Sequence, residues 1–139
     1  MSIQTINPNT NVAIKSFEEM TDQAVDAAVT QAENAYKEWR KTSYEQRALL
    51  LHKVAGLMRE KKEQLAKTIT SEMGKLIAQA EGEIVLSADI FDYYADSAEK
   101  FLADKTLGPT HGTAIIRHSP IGVLFGVEPW NFPFYQVAR

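Results

Sequence analysis

The run Ile121-Gly122-Val123-Leu124-Phe125-Gly126-Val127 constrains this chain more than any other feature. It shows no alternation between apolar and polar positions. A strand with one face in water alternates, whereas a strand covered on both faces does not. The run therefore predicts a strand over 121–127 in a parallel sheet flanked by helices. Pro129-Trp130-Asn131-Phe132-Pro133 ends it, and Pro133 suits the first turn of a short helix that follows. Such a strand needs parallel neighbours. The pattern supplies only one other strand, over 113–118, where β-branched residues cluster, and Pro120 separates the two. The 139 residues are thus expected to be incomplete as a domain, the sheet being finished by further sequence or by a partner.

Upstream the periodicity is helical. The residues over 3–15 form a short polar stretch with Asn7-Pro8-Asn9 as a turn signal. Thr21 is a suitable N-cap for a helix over about 21–41, in which Val25, Ala28, Ala32, Tyr36 and Trp39 share a face. Ser43 with Gln46 three residues later reads as a capping box opening a helix over about 44–74. Its pattern becomes wholly charged around 59–62, and Gly74 reads as its C-terminal cap. A third helix is expected over about 76–102, with Ile77, Ala80, Ile84, Phe91, Ala95, Ala98 and Leu102 on its apolar face.

Composition narrows the function classes. With 15 basic and 18 acidic residues the formal net charge is −3, which argues against a nucleic-acid surface. No apolar stretch is long enough to span a bilayer, and the first residues lack the character of a signal peptide. Cysteine is absent. Disulfides and thiolate metal sites are excluded, a cytoplasmic location is the default, and no cysteine nucleophile exists within these residues.

The segment 122–133, with its core Pro129-Trp130-Asn131-Phe132-Pro133, resembles a signature of the aldehyde dehydrogenase superfamily. The resemblance extends upstream through Ile6-Asn7-Pro8, Asp26-Ala27-Ala28-Val29, Tyr36-Lys37-Glu38-Trp39, Glu45-Gln46-Arg47-Ala48-Leu49-Leu50, Glu72-Met73-Gly74-Lys75 and Glu81-Gly82-Glu83-Ile84. The continuation to Phe134-Tyr135-Gln136-Val137-Ala138-Arg139 is similar to the succinate-semialdehyde dehydrogenase branch. The resemblance implies an α/β fold. The chain would hold the N-terminal helical part and first buried strand of a Rossmann-like cofactor domain, plus a strand of the oligomerisation arm over 113–118. It further implies oxidation of an aldehyde, succinate semialdehyde in the narrower reading, to the carboxylic acid by a cysteine thiolate and a glutamate base. NAD or NADP would be the cofactor of an intact, homo-oligomeric enzyme. In the family the cysteine and the base lie downstream of the signature. The chain alone is therefore expected to be inactive and to bind no cofactor tightly.

Residue by residue, the resemblance makes Asn131 the donor to an oxyanion, and sets Val127, Glu128, Pro129 and Trp130 along the nicotinamide end of the cofactor. Position alone allows other roles: Asn131 as the N-cap of the helix at Pro133, and Trp130 as plain core. No catalytic role is carried over for Glu128. Gly74-Lys75 lacks the surroundings of a phosphate loop, and no dinucleotide fingerprint with three spaced glycines is present. His52, His111 and His118 show no metal-ligand spacing, and His52 is expected at the surface. Asp89, Asp92 and Asp96 share a helical face that reads as solvated rather than metal-binding, and Lys61-Lys62 reads as a solvated helix end. A non-enzymatic helical module that associates through 113–118, and a functionless remnant, are the competing readings.

Overall fold

The computed structural model describes residues 3–108 and 110–139. It opens with an antiparallel hairpin of β1 (Ile3–Ile6) and β2 (Ala13–Phe17). The Asn7 turn joins them: its Oδ1 accepts from the backbone N–H of Asn9 at 2.9 Å. The turn falls where Asn7-Pro8-Asn9 signals it, in the stretch over 3–15 read as short and polar, while the two strands, the second reaching Phe17, were not expected. Both are largely exposed, so no burial pattern betrays them and backbone pairing alone makes them strands.

Helix α1 (Asp22–Trp39) starts as expected at Thr21, whose hydroxyl accepts from the N–H of Ala24 at 3.2 Å. It buries no residue completely. Of its expected apolar face, Ala32 and Tyr36 are half-covered, while Val25 and Trp39 stay exposed. Helix α2 (Tyr44–Glu60) begins with the capping box read from Ser43 and Gln46. The single helix expected over 44–74 is in fact two. At Lys61 the backbone leaves helical geometry (φ −97°, ψ 14°), and α3 (Lys62–Met73) follows as a separate helix. One turn beyond buried Met58, a continuous helix would turn Lys62 inward; instead its ammonium meets Glu81 at 3.2 Å near the surface.

Helix α4 (Ile77–Leu102) is the axis on which α2, α3 and the later α5 (Pro133–Ala138) all pack. The core is Ala55 and Met58 from α2, Ala66 and Ile69 from α3, and Ala80, Ile84 and Ala88 from α4, with Phe91 and Phe134 at its edge. Four of these seven are alanines, so the helices approach closely where they cross. Ile84 is wholly buried, and burial of such a side chain stabilises by about 1.5–3 kcal/mol. The expected face of α4 holds at its centre, while Ile77 and Leu102 at its ends are exposed.

The strand expected over 113–118 is shorter, β4 (Ala114–Ile116), and pairs antiparallel with an unforeseen strand, β3 (Lys105–Leu107). Asp104 and Arg117, flanking the pair, close it with a two-pronged ion pair at 3.0–3.1 Å from Arg117 Nε. Pro109, between them in the sequence, lies outside the described residues. The strand expected over 121–127 is absent: among the described residues the run has no ladder partner, and Phe125 is 92% exposed. A strand exists only where neighbouring backbone groups pair with it, and β3 and β4 already pair with each other. The parallel sheet that its composition calls for is not formed by these residues; both sheets described are two-stranded and antiparallel. The short helix α5 (Pro133–Ala138) then forms with proline in its first turn, as expected. No described helix is long and apolar enough to cross a membrane.

Candidate active site

The site is assembled from three elements: the α3–α4 junction, the buried face of α4, and the segment that enters α5. At the junction Gly74 ends α3 in the left-handed region (φ 77°), with its N–H on Thr70 O at 2.9 Å. Glycine takes that conformation without the Cβ penalty, and a Cβ here would also press on Pro8 Cγ at 3.2 Å. The sharp turn delivers Lys75 to the side of α4, where its ammonium pairs with the Glu83 carboxylate. Both side chains are nearly shielded from solvent, at 8% and 1% exposure.

Glu83 lies on the stripe of α4 that carries Ala80, Ile84 and Ser87, so the helix itself turns the carboxylate inward. A buried carboxylate is costly unless its oxygens are satisfied. Here Oε2 takes the Lys75 ammonium, and Oε1 accepts from the backbone N–H groups of Phe134 at 2.9 Å and Tyr135 at 3.3 Å. Those amides belong to the first turn of α5, where N–H groups have no intrahelical partner. The cap position of α5 is Phe132, and no side chain there caps the helix. Glu83, some fifty residues earlier, supplies the missing acceptor. Lys75 also places its Nζ 3.7 Å from the centroid of the Phe132 ring, a cation–π contact.

The five residues singled out from the sequence lie consecutively on the segment held at this end. Val127, Glu128, Pro129, Trp130 and Asn131 are all exposed. Trp130 is 74% exposed, so it is not core in these residues. Asn131 does not cap α5, since the cap position is Phe132 and the free amides go to Glu83. Its amide is therefore a donor on an exposed surface, one residue before the ring that Lys75 covers. Gly126 allows Glu128 to fold back: the Oε1 of Glu128 lies 3.0 Å from where a Cβ on Gly126 would stand. The sequence reading passed over Lys75 and Glu83 as landmarks without function. A signal was present, because Glu83 is the one charged residue at helical spacing on a stripe that is otherwise uncharged.

A second polar cluster joins α2 to α4. The Asp89–Asp92–Asp96 stripe, expected to be solvated, meets Arg59 and His52 of α2, while Asp89 and Asp96 stay exposed. Arg59 reaches Asp89 and Asp92 at 2.7 Å each. His52 Nδ1 lies 2.7 Å from Asp92 Oδ1 and Nε2 lies 3.2 Å from Asp96 Oδ1. The Asp92 hydrogen bond, more than the nearby negative charge, raises the His52 pKa. Hydrogen bonds from His52 and then Arg59 hold the Asp92 carboxyl below its ordinary value. Among the described residues no group of acidic or histidine side chains has the arrangement of a metal site.

The whole chain, residues 1–139, matches the model of the aldehyde dehydrogenase family. It is 42% identical over 135 residues to a succinate-semialdehyde dehydrogenase [NADP(+)] of Deinococcus radiodurans, covering 97% of this chain and 28% of that protein. It is 40% identical over 142 residues to succinate-semialdehyde dehydrogenase [NADP(+)] 1 of Mycobacterium tuberculosis, covering 100% of this chain and 31% of the relative. Among solved structures, the succinic semialdehyde dehydrogenase of Streptococcus pyogenes in complex with NADP+ superposes with a TM-score of 0.92 at 43% identity, over 97% of this chain and 30% of that one. The chain thus spans less than a third of the length of these relatives.

Proposed function

The chain belongs to the aldehyde dehydrogenase family, and from that premise we propose that it is the N-terminal part of a cytoplasmic enzyme that oxidises succinate semialdehyde to the acid with NADP. The narrower substrate and cofactor are supported by the names of relatives at 40–43% identity. The observation that carries the reading is Asn131: an exposed amide, free of capping duty, on a segment anchored from beneath by a buried ion pair. As a nucleophile adds to an aldehyde, negative charge grows on the former carbonyl oxygen. A positioned amide N–H stabilises that charge more than it stabilises the neutral carbonyl, so it speeds the chemical step.

The residues before Asn131 fit a dinucleotide's ring end. Val127 and Trp130 present exposed apolar surface, at 80% and 74%, next to the amide donor. When bound, NADP supplies the acceptor for the hydride that leaves the substrate carbon. Val127, Glu128, Pro129 and Trp130 would hold and orient it, with Pro129 limiting the backbone freedom of the segment. The chain contains no cysteine, so the nucleophile of this reaction comes from outside these 139 residues. In the same reading the segment 121–127 becomes the first strand of a Rossmann-like sheet, completed by those further residues. The β3–β4 hairpin, with Ile115 and Ile116 exposed, becomes an arm of a homo-oligomer.

The test is to purify the full-length protein and follow cofactor reduction with succinate semialdehyde against short aliphatic aldehydes, each with NADP and with NAD. Highest kcat/KM with succinate semialdehyde and NADP is expected. Turnover that prefers an aldehyde without a carboxylate would overturn the substrate, and the absence of aldehyde oxidation would overturn the activity.

A further inference from the structure

We infer that Lys75 and Glu83 are positioning residues for the reaction, a buried pair that holds the entrance of α5 and thereby aims the Asn131 amide. The inference rests on the oxyanion role proposed for Asn131. Four contacts carry it, all made by two side chains at most 8% exposed. Glu83 Oε1 binds two successive amides, those of Phe134 and Tyr135, at 2.9 and 3.3 Å. Two bonds to adjacent N–H groups fix the direction of the first turn as well as its position. Glu83 Oε2 is held in turn by Lys75. Lys75 then reaches forward to the Phe132 ring, 3.7 Å from its centroid, directly beside Asn131.

The arrangement has a mechanical logic. The residues over 121–131 carry neither helix nor strand of their own to hold them. Asn131 stands three residues before the first amide that Glu83 binds. Pro133 lies between, and its ring limits rotation at the helix entrance. The carboxylate is carried by the middle of the buried stripe of α4, the most enclosed helix of the molecule, flanked by Ala80, Ile84, Ser87 and Ala88. An exposed segment is thus referred to the rigid core through one side chain. Catalysis by a fixed donor depends on such placement, and errors of about 1 Å can cost about 10²-fold in rate.

The experiment uses the full-length enzyme and a double-mutant cycle of Glu83→Gln with Asn131→Ala. Glutamine keeps the shape but turns an amide NH2 or a weaker acceptor toward partners that need a carboxylate. Glu83→Gln is expected to lower kcat about tenfold, per folded active site, with KM for aldehyde and cofactor within about twofold of wild type. In the Asn131→Ala background the same change should cost less than about twofold, because the donor it aims is gone. Lys75→Arg, which retains the positive charge, should recover most of the rate lost in Lys75→Met. A purely structural pair would lower stability while leaving kcat per folded site alone, or would multiply independently with Asn131→Ala. Either result overturns the inference and leaves the oxyanion role standing. Full turnover in Asn131→Ala alone overturns the oxyanion role, and the inference falls with it. Should Glu83→Gln not fold, hydrogen exchange on the wild type still decides: the Phe134 and Tyr135 amides are expected to be strongly protected, and exchange at unprotected first-turn rates overturns the anchor.

Discussion

Asn131 is the residue on which the chemistry turns, and its two possible roles make different demands. An oxyanion donor needs an N–H aimed at a reacting oxygen; a helix cap needs an oxygen aimed at backbone amides. In the structure the amides of α5 are already taken by Glu83. Asn131→Ala in the full-length enzyme should therefore lower kcat by about 10²–10³-fold, while the melting temperature stays near that of wild type. Asn131→Asp should be as slow or slower, since a carboxylate repels a developing oxyanion although it caps helices well. Rapid-mixing measurement of the first turnover, beside thermal melts, distinguishes the roles. Near-normal turnover in Asn131→Asp would end the donor assignment. Glu83 has a different character: nothing in its type marks it, and only its place on the stripe of α4 does.

At the scale of elements, α4 gathers the molecule, and its two polar faces act differently. The inner one carries Glu83. The outer one carries Asp89, Asp92 and Asp96, which α2 grips with His52 and Arg59. Both ring nitrogens of His52 point at carboxylates, so the contact is made in full by the protonated imidazolium. Its pKa is raised by folding, chiefly through the Asp92 hydrogen bond. A raised folded-state pKa means that the contribution is complete below the ordinary histidine value of 6.5 and fades as pH rises through the folded one. Asp92 is lowered, so its share is present above its ordinary value of 3.8 and fades as pH falls through the folded one. The clamp is thus strongest between the two ordinary values, 3.8 and 6.5. The urea midpoint of the wild-type protein should fall between pH of about 6 and about 8 more steeply than that of His52→Gln. Equal slopes would show that the clamp does not couple to folding.

Seen whole, the molecule is a helical cluster around α4 with two small hairpins and a long exposed segment. Ile121, Leu124, Phe125 and Val127 face solvent in that segment, as do Val25 and Val29 on α1. Apolar side chains left in water favour association. The 139 residues expressed alone should accordingly bind an apolar dye or self-associate in sizing experiments. They should also give no cofactor reduction with succinate semialdehyde, since no cysteine is available to attack it. Robust turnover by the isolated chain would refute the mechanism, and a monomeric, dye-silent chain would refute the expected association.

Local chemistry was legible in the sequence wherever it needed only near neighbours. The Thr21 cap, the Ser43–Gln46 box, the left-handed Gly74 and the proline-led start of α5 all depend on residues within one turn, so reading the order of side chains suffices. The 129–133 segment and its family likeness were legible for the same reason, being a contiguous run. The hairpin strands β1, β2 and β3 were not, because exposed strands carry no burial pattern and arise from pairing with a partner. The run over 121–127 shows the converse: its composition specifies a covered strand, yet a ladder needs neighbours, and none is present among the described residues. Only the tertiary structure could join Lys75 and Glu83 to Phe134 and Tyr135. A buried carboxylate must find its donors through space, and α4 packing against α5 is what brings amides from fifty residues away within 3.3 Å.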